Sequence, residues 1–438
     1  MWDSVPRPAK GLSSFGNLFL FWYKMICCFY DFLVFLLALG YVPRLVWDWW
    51  KGKRGARLAE RLGLRIPDAG ERAVIWIHAV SVGETRAARP LFLKLKSEFP
   101  DAFFLVTHAT WTGMEEAKRS LKEADGFAFL PLDFSWVMRR WAKKLRPTHF
   151  VLIEGDFWFN QLTALKMVGA QIVLASGKIS ERSAARFRKI SFFAKRLFGL
   201  FDVFGVQSEE YAALFAPFVK EVHVTGNLKF DVEPQEIPVQ EIEMLRKRKI
   251  ITLSCTHEPE EELLLDVLEP LFSRLMIFLA PRHPERFQAV SELLQKRKIP
   301  FGRWSEKEKL SGLETVILVD AMGQLPFCYA KSELAIVCGS FTSRIGGHNV
   351  LEPCLYGCPS LFGPHMHGQK ELSSYVIKAG AGQQIRLDET LSALEQLLRE
   401  PSSLEEMRKK AATLFSSGRG SAEKTILLMK KKKNLAIK

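Results

Sequence analysis

Beyond residue 70, short apolar runs rich in Val, Ile and Phe alternate with stretches whose apolar positions recur at helical spacing. The runs are Val74–Ala79, Ala102–Thr107, Phe127–Leu130, His149–Ile153, Gln171–Ala175, Val203–Val206 and Val222–Thr225, and between them Arg86–Glu98 and Met114–Ala124 carry helical periodicity. Strands that are apolar nearly throughout are strands covered on both faces, so the pattern predicts a parallel sheet flanked by helices, a doubly wound α/β domain. Residues 231–248, with two prolines and many charges, break this rhythm and read as an interdomain linker. The rhythm resumes with Ile250–Ser254, Leu275–Ala280, Val316–Val319, Leu334–Val337 and Ser360–Phe362, which predicts a second domain of the same kind. Two such domains facing each other form a cleft at the carboxyl ends of their strands, where open α/β sheets bind ligands.

The first fifty residues follow another pattern. Phe15–Val42 is apolar and aromatic, with Lys24 and Asp31 its charged residues, and the 18 residues Met25–Val42 sit at the short edge of the ~17 to 25 needed to cross a bilayer. The two charges fall seven apart on one helical face, where they can pair or Lys24 can snorkel toward headgroups. A cleaved signal peptide fits poorly, because Asp31 and the aromatic load interrupt its apolar stretch even though Ala38-Leu39-Gly40 offers small residues. A buried soluble helix is a second reading, and a membrane anchor, spanning or interfacial, is preferred. Arg7 and Lys10 precede the stretch, while Arg44, Lys51, Lys53, Arg54, Arg57, Arg61 and Arg65 follow it. The heavier basic flank is expected on the cytoplasmic side, against anionic headgroups, with the rest of the chain in the cytosol. The expected organisation is therefore an anchor over 1–50, an N-terminal domain over 51–235, a C-terminal domain over 236–415 and a basic helix or tail over 416–438. That tail carries Lys430–Lys433 and Lys438, read first as a solvated helix end and second as a headgroup contact.

Length and charge narrow the partners. A chain of 438 residues is long enough for two or three domains, and 48% hydrophobic with 25% charged residues excludes disorder. Lys and Arg outnumber Asp and Glu by 62 to 48, a net charge of +14, which favours nucleic acid, anionic lipid or phosphorylated substrates. The seven cysteines contain no C-x-x-C pair and read as reduced thiols, without a zinc site.

Candidate chemistry gathers where strands end. After the first strand, Ser81-Val82-Gly83-Glu84 matches the S-x-x-E capping box, in which the Glu serves only the backbone. The competing reading makes Glu84 a base beside a helix N-terminus that keeps it ionised. Phe150–Ile153 runs into two acids, Glu154 and Asp156, able to position a hydroxyl, hold a metal or stabilise positive charge, with helix capping by Asp156 as the structural alternative. Lys229, in Thr225-Gly226-Asn227-Leu228-Lys229, could meet a phosphate or carboxylate. In the second domain, Arg282 and His283 follow a strand, as do Asp320–Leu325, and Gly346-Gly347-His348-Asn349 is expected to open a helix whose N–H groups receive a phosphate, with Glu352 one turn inside to hold ribose hydroxyls. Neither a P-loop nor a G-x-G-x-x-G after a strand is present, and D-x-D is absent, so a donor carrying one phosphate held by backbone and Arg is preferred to a metal-bridged diphosphate.

Taken together, S-V-G-E, the acid pair before Trp158 and Asn160, T-G-N-L-K-F-D, T-H-x-x-E-E at Thr256–Glu261, R-H-P, D-x-M-G, G-G-H-N-x-L-E-P and Gly363-Pro364-His365 resemble the 3-deoxy-D-manno-octulosonic acid (Kdo) transferase family of lipopolysaccharide synthesis. The resemblance implies a membrane-associated GT-B glycosyltransferase, two Rossmann-like domains facing a cleft, that transfers Kdo with inversion from CMP-Kdo to a tetraacylated lipid A precursor, possibly more than once. It implies Glu84 as proton acceptor, and Glu154 and Lys229 as groups that stabilise the transition state. It implies CMP contacts from Arg282, His283, Gly323, Gln324, Leu325, Asn349, Val350, Leu351 and Glu352, no cofactor and no metal, and attachment to the cytoplasmic face of the bacterial inner membrane. The chain departs from the family pattern at Asp156, Phe159, Gln324 and Ser176-Gly177-Lys178, so either acid of the pair is a candidate for the working one. Two rivals are another GT-B enzyme using a UDP-sugar and a basic membrane-tethered protein that binds nucleic acid. The second is disfavoured, because the basic excess lies beside the anchor and in the tail rather than on an aromatic-studded face.

Overall fold

A computed structural model describes residues 28–40, 58–234, 237 and 248–436. The chain divides into two units, Met1–Val232 with Arg419–Lys438, and Glu233–Gly418.

In the first unit seven parallel strands, β1 (Val74–His78), β2 (Phe103–His108), β3 (Gly126–Phe129), β4 (Pro147–Ile153), β5 (Gln171–Gly177), β6 (Val203–Val206) and β7 (His223–Val224), lie in the order β3-β2-β1-β4-β5-β6-β7. Alternate residues serve two apolar layers: Val74 and Trp76 pack with Trp141 and Phe150, Ile75 and Ile77 with Leu91 and Phe104. This two-sided burial is why the strands read as continuous apolar runs. The chain winds outward from β1 through β3, then crosses back to β4, so the strand order reverses between β1 and β4.

The second unit repeats the plan with β8 (Lys249–Thr256), β9 (Leu275–Pro281), β10 (Phe301–Arg303), β11 (Val316–Leu318), β12 (Leu334–Val337), β13 (Ser360–Phe362) and β14 (Gly382–Gln384), ordered β10-β11-β9-β8-β12-β13-β14 and again parallel. Here the reversal lies between β8 and β12. β10 and β14 were not expected from the pattern. They are three-residue edge strands, and an edge strand lacks the second neighbour that makes an apolar run obligatory.

After the helix Pro401–Gly418 the chain returns to the first unit, where the helix Ser421–Ala436 buries Ala422, Ile426 and Met429 beside Ile75. Asp231 holds its start, accepting from the N–H groups of Gly420 (2.6 Å), Ser421 (3.3 Å) and Ala422 (2.5 Å). Lys430 and Lys432 pair with Glu98 and Glu221 on the same unit.

Of the expected anchor, residues 28–40 form a helix, and the remainder of 1–50, Lys24 included, lies outside the described residues. Among the described residues no helix is long and apolar enough to cross a membrane. Asp31 faces the first unit, where it bonds Ser135 and Asn160. Residues 235–236 and 238–247 of the linker also lie outside the described residues.

Candidate active site

In a doubly wound sheet the ligand crevice forms at the carboxyl ends of the two strands between which the order reverses, because the connections there leave in opposite directions. In the first unit those ends are His78 and Ile153. Glu84 follows β1 by one turn. Ser81 caps the helix Val82–Glu98, its Oγ accepting from the Glu84 N–H at 3.3 Å and donating to Glu84 Oε1 at 3.1 Å, while Glu84 Oε2 accepts from the Val80 N–H at 2.7 Å. The capping function read from the sequence is thus realised. It does not exhaust the carboxylate, which burial pushes above the ordinary range, aided by the charge of nearby Glu154 against the opposing bond from Val80. Such a group accepts a proton more readily than an exposed glutamate.

Glu154 lies at the end of β4, 3% exposed, and receives two lysines, Lys229 at 2.8 Å and Lys178 at 3.0 Å. Burial alone would raise its pKa; the two ammonium groups outweigh it and hold the carboxyl below the ordinary range. Glu154 is therefore a fixed anion, and the trio it forms carries one net positive charge at the sheet edge. Lys178 is not among the site residues the sequence singles out, although it follows β5 at the same edge, the positional signal that marks Glu154 after β4. Asp156 is more accessible. It accepts from Trp158 Nε1 at 2.7 Å and pairs with His78 Nε2 at 3.3 Å. Thr107 Oγ1 accepts from Trp76 Nε1 at 2.7 Å, so its one hydrogen is available to His78 Nδ1 at 2.9 Å. That chain leaves the proton of a neutral His78 on Nε2, facing Asp156.

In the second unit the corresponding ends are those of β8 and β12. Glu260, fully buried, accepts from the N–H groups of Gly339 (2.7 Å), Ser340 (3.0 Å), Phe341 (3.0 Å) and His257 (3.2 Å), tying the loops after the two strands together. Glu261 is likewise committed, to Thr256 and Arg286. His257 and His348 stack 5.0 Å apart with their Nε2 atoms at 2.8 Å, and burial pushes both down to about 4, aided at His257 by the charges of His283 and Arg282 and at His348 by those of His257, Arg282 and His283. Arg282 is exposed, its backbone N–H bonded to the Thr256 carbonyl.

The glycine pair does not open a helix, as the sequence reading expected. Gly346 and Gly347 have φ of 90° and 85°, a β-carbon at either would run into His367 or Met366, and the chain stays irregular until the short 3-10 turn Pro353–Tyr356. Two consecutive left-handed residues turn the loop into a cradle rather than a helix end, with the Gly347 N–H donating to the Gly339 carbonyl at 2.7 Å. Asn349 turns inward on its own loop, accepting from the Leu351 N–H at 3.1 Å, and the side chains of Val350 and Leu351 are buried in the core, which leaves only their backbone to a ligand. Gly323, Gln324 and Leu325 follow β11, and Gln324 flanks the helix Leu325–Lys331 without capping it. The first unit thus brings Glu84, Glu154, Asp156 and Lys229 to one edge; the second brings Arg282 and His283 beside His257 and His348, with the Gly323 and Asn349 segments at the ends of neighbouring strands.

A family model described as 3-Deoxy-D-manno-octulosonic-acid transferase (kdotransferase) matches residues 56–232. The chain is 34% identical over 372 residues to the 3-deoxy-D-manno-octulosonic acid transferase of Chlamydophila psittaci, covering 82% of this chain and 86% of that one. It is 33% identical over 425 residues to the protein of the same name from Bordetella pertussis, covering 90% and 97%. Among solved structures it is similar to the UDP-GlcNAc 2-epimerase of Neisseria meningitidis (TM-score 0.57, 14% identity, 82% of this chain and 100% of that one) and to Acinetobacter baumannii MurG (TM-score 0.53, 14% identity, 82% and 99%). At that identity the likeness supports the two-domain α/β arrangement alone.

Proposed function

From the premise that this chain belongs to the 3-deoxy-D-manno-octulosonic acid transferase family, and so is a glycosyltransferase that transfers Kdo in lipopolysaccharide synthesis, we propose that its donor is CMP-Kdo, its acceptor a tetraacylated lipid A precursor and its base Glu84. In this reading the Glu84 carboxylate exchanges the Ser81 hydroxyl for an acceptor sugar hydroxyl. It takes that proton as the oxygen attacks the anomeric carbon opposite CMP; the new glycosidic bond forms, the bond to phosphate breaks and configuration inverts. The raised proton affinity of Glu84 supports the role, since a base works best with a pKa closer to the working pH. CMP departs as an anion, which Arg282 and the amides of the His348–Val350 segment receive. The net positive charge of the Glu154, Lys178 and Lys229 trio suits the carboxylate of the transferred sugar. Charge neutralisation is assigned to these groups and none of it to a metal.

We place the enzyme on the cytoplasmic face of the inner membrane. Residues Phe29, Phe32, Phe35, Leu36, Leu37 and Leu39 of the helix 28–40 are exposed, and so are Trp136 and Phe192, each adjacent in sequence to a residue that touches this helix. Arg139 and Arg140 follow Trp136, and Arg188 and Lys189 precede Phe192 at the end of the preceding helix, a mixture of apolar and basic groups suited to anionic lipid.

The observation that carries the reading is the meeting of Glu84 with the Glu154, Lys178 and Lys229 trio where the first sheet reverses. The test is to incubate the purified chain with CMP-Kdo and the lipid A precursor and weigh the products: addition of one or more Kdo masses is expected, with CMP and not UDP competing. An unchanged acceptor mass, or competition by UDP, would reject the substrate assignment.

A further inference from the structure

The loop that bears both acids has a backbone few residues adopt, with φ of 61° at Glu154 and 148° at Asp156. A loop of that kind keeps its shape only where its surroundings over-determine it. At the near end Lys178 and Lys229 hold Glu154. At the far end the partners come from the helix 28–40, more than a hundred residues away. Asp31 Oδ1 accepts from the Ser135 N–H (2.9 Å) and from Asn160 Nδ2 (2.8 Å), and Oδ2 accepts from the Ser135 hydroxyl (2.6 Å). The Tyr30 hydroxyl accepts from the Phe159 N–H at 3.4 Å, and its ring lies 5.6 Å from that of Phe159. Asp133 completes the junction, its carboxylate accepting from the N–H groups of Asn160 (3.0 Å) and Gln161 (2.7 Å). The helices Ser135–Leu145 and Phe159–Met167 begin without a capping side chain of their own; Asp31 and Asp133 supply it from elsewhere in the chain.

We infer that Tyr30 and Asp31 are positioning residues for sugar transfer: the amino-terminal helix, seated on the first unit, fixes the far end of the loop that carries Glu154 and Asp156. This rests on the catalytic reading proposed above for that edge. Residues 30, 31, 34 and 38 are the ones turned toward the protein, one stripe at helical spacing, and the remaining residues of the helix are exposed. Seating the loop and meeting a lipid surface therefore fall on different faces and are separable by substitution.

The experiment uses the full chain with CMP-Kdo and the lipid A precursor dispersed in detergent, so that no bilayer contributes. Asp31→Ala is expected to lower kcat ~10- to 100-fold, the scale of a displaced catalytic group, with KM for CMP-Kdo within ~2-fold. Asp31→Asn, which keeps an oxygen for the Ser135 N–H, recovers most of the rate. Phe32→Ser combined with Phe35→Ser shows the reverse: full kcat in detergent and weakened sedimentation with phosphatidylethanolamine–phosphatidylglycerol vesicles, to which Asp31→Ala binds as the parent does. An unchanged kcat for Asp31→Ala overturns the inference. Where that variant fails to fold, Tyr30→Phe, which keeps the ring and loses the hydroxyl, decides instead: a lowered kcat supports the inference and an unchanged one overturns it. Glu154→Gln in parallel separates the two levels, since its inactivity beside a fully active Asp31→Ala sinks the positioning role alone, whereas full activity of both sinks the catalytic reading as well.

Discussion

The two units solve the same architectural problem with opposite chemistry. Each sheet reverses its strand order once, and each has a buried carboxylate at that point, Glu154 in the first and Glu260 in the second. Glu154 is balanced by side-chain cations, Lys178 and Lys229, and its pKa falls; Glu260 is balanced only by four backbone N–H groups, burial wins, and its pKa rises. Side-chain cations carry whole charges that a substrate can share, so the first crevice holds charged and titratable groups together. Amides that are spent on Glu260 fix the loops after β8 and β12, and in the proposed reading the glycine cradle and Arg282 receive an anion. The difference favours the division of labour proposed above, with proton transfer in the first unit and nucleotide binding in the second.

The largest effect expected is that of Glu84→Gln. The amide keeps an oxygen for the Val80 N–H, so the helix cap survives, while the base is lost; kcat should drop ~10²- to 10⁴-fold with CMP affinity unchanged. Steady-state kinetics beside calorimetric titration with CMP checks both halves, and a parallel loss of CMP affinity would break the proposed division. Gly347→Ala tests the other side. A β-carbon at φ 85° that runs into Met366 displaces the cradle at a cost of about 1–3 kcal/mol, which weakens CMP binding by ~10- to 100-fold while the first unit is untouched. Lys178→Met sharpens the comparison on a smaller scale. Glu154 keeps Lys229 at 2.8 Å but the trio loses its surplus charge, so kcat/KM for CMP-Kdo should fall by ~10-fold, and a variant indistinguishable from the parent would show that the surplus charge does not meet the donor.

Much of this is legible in the sequence, for a definite reason. Central parallel strands such as β1, β4, β8 and β9 are apolar on both faces, and a residue that ends one of them, like Glu154, is conspicuous by contrast. Where burial is one-sided the contrast vanishes, and β10 and β14 were missed for that reason. Lys178 was overlooked because a lysine after a strand is commonplace until its partner is known, and that partner lies on a neighbouring strand. Glycine pairs are ambiguous between helix openings and irregular loops, and what decides at Gly346 and Gly347 is the crowding by Met366 and His367 from a later segment. The junction of Tyr30 and Asp31 with Asn160 is invisible for the same reason of sequence distance: nothing near Asp31 in the chain points to Ser135 and Asn160, its partners among the described residues.

The smallest effect expected concerns acid. His348 titrates at about 4 in the folded second unit against an ordinary 6.5, so between those values the unfolded chain binds more protons and stability rises with pH. Stability is therefore lost as pH falls from 6.5 toward 4. Glu260 acts in the opposite sense, since a raised pKa means that its buried charge destabilises above the ordinary 4.5 and relief comes on acidification. The two can be told apart by difference. His348→Asn leaves Glu260 and its amides in place, so urea unfolding of the variant should show a shallower loss between pH 7 and pH 5 than the parent, by on the order of 1 kcal/mol. Equal slopes for parent and variant would mean that the His257–His348 stack is not held neutral by its surroundings.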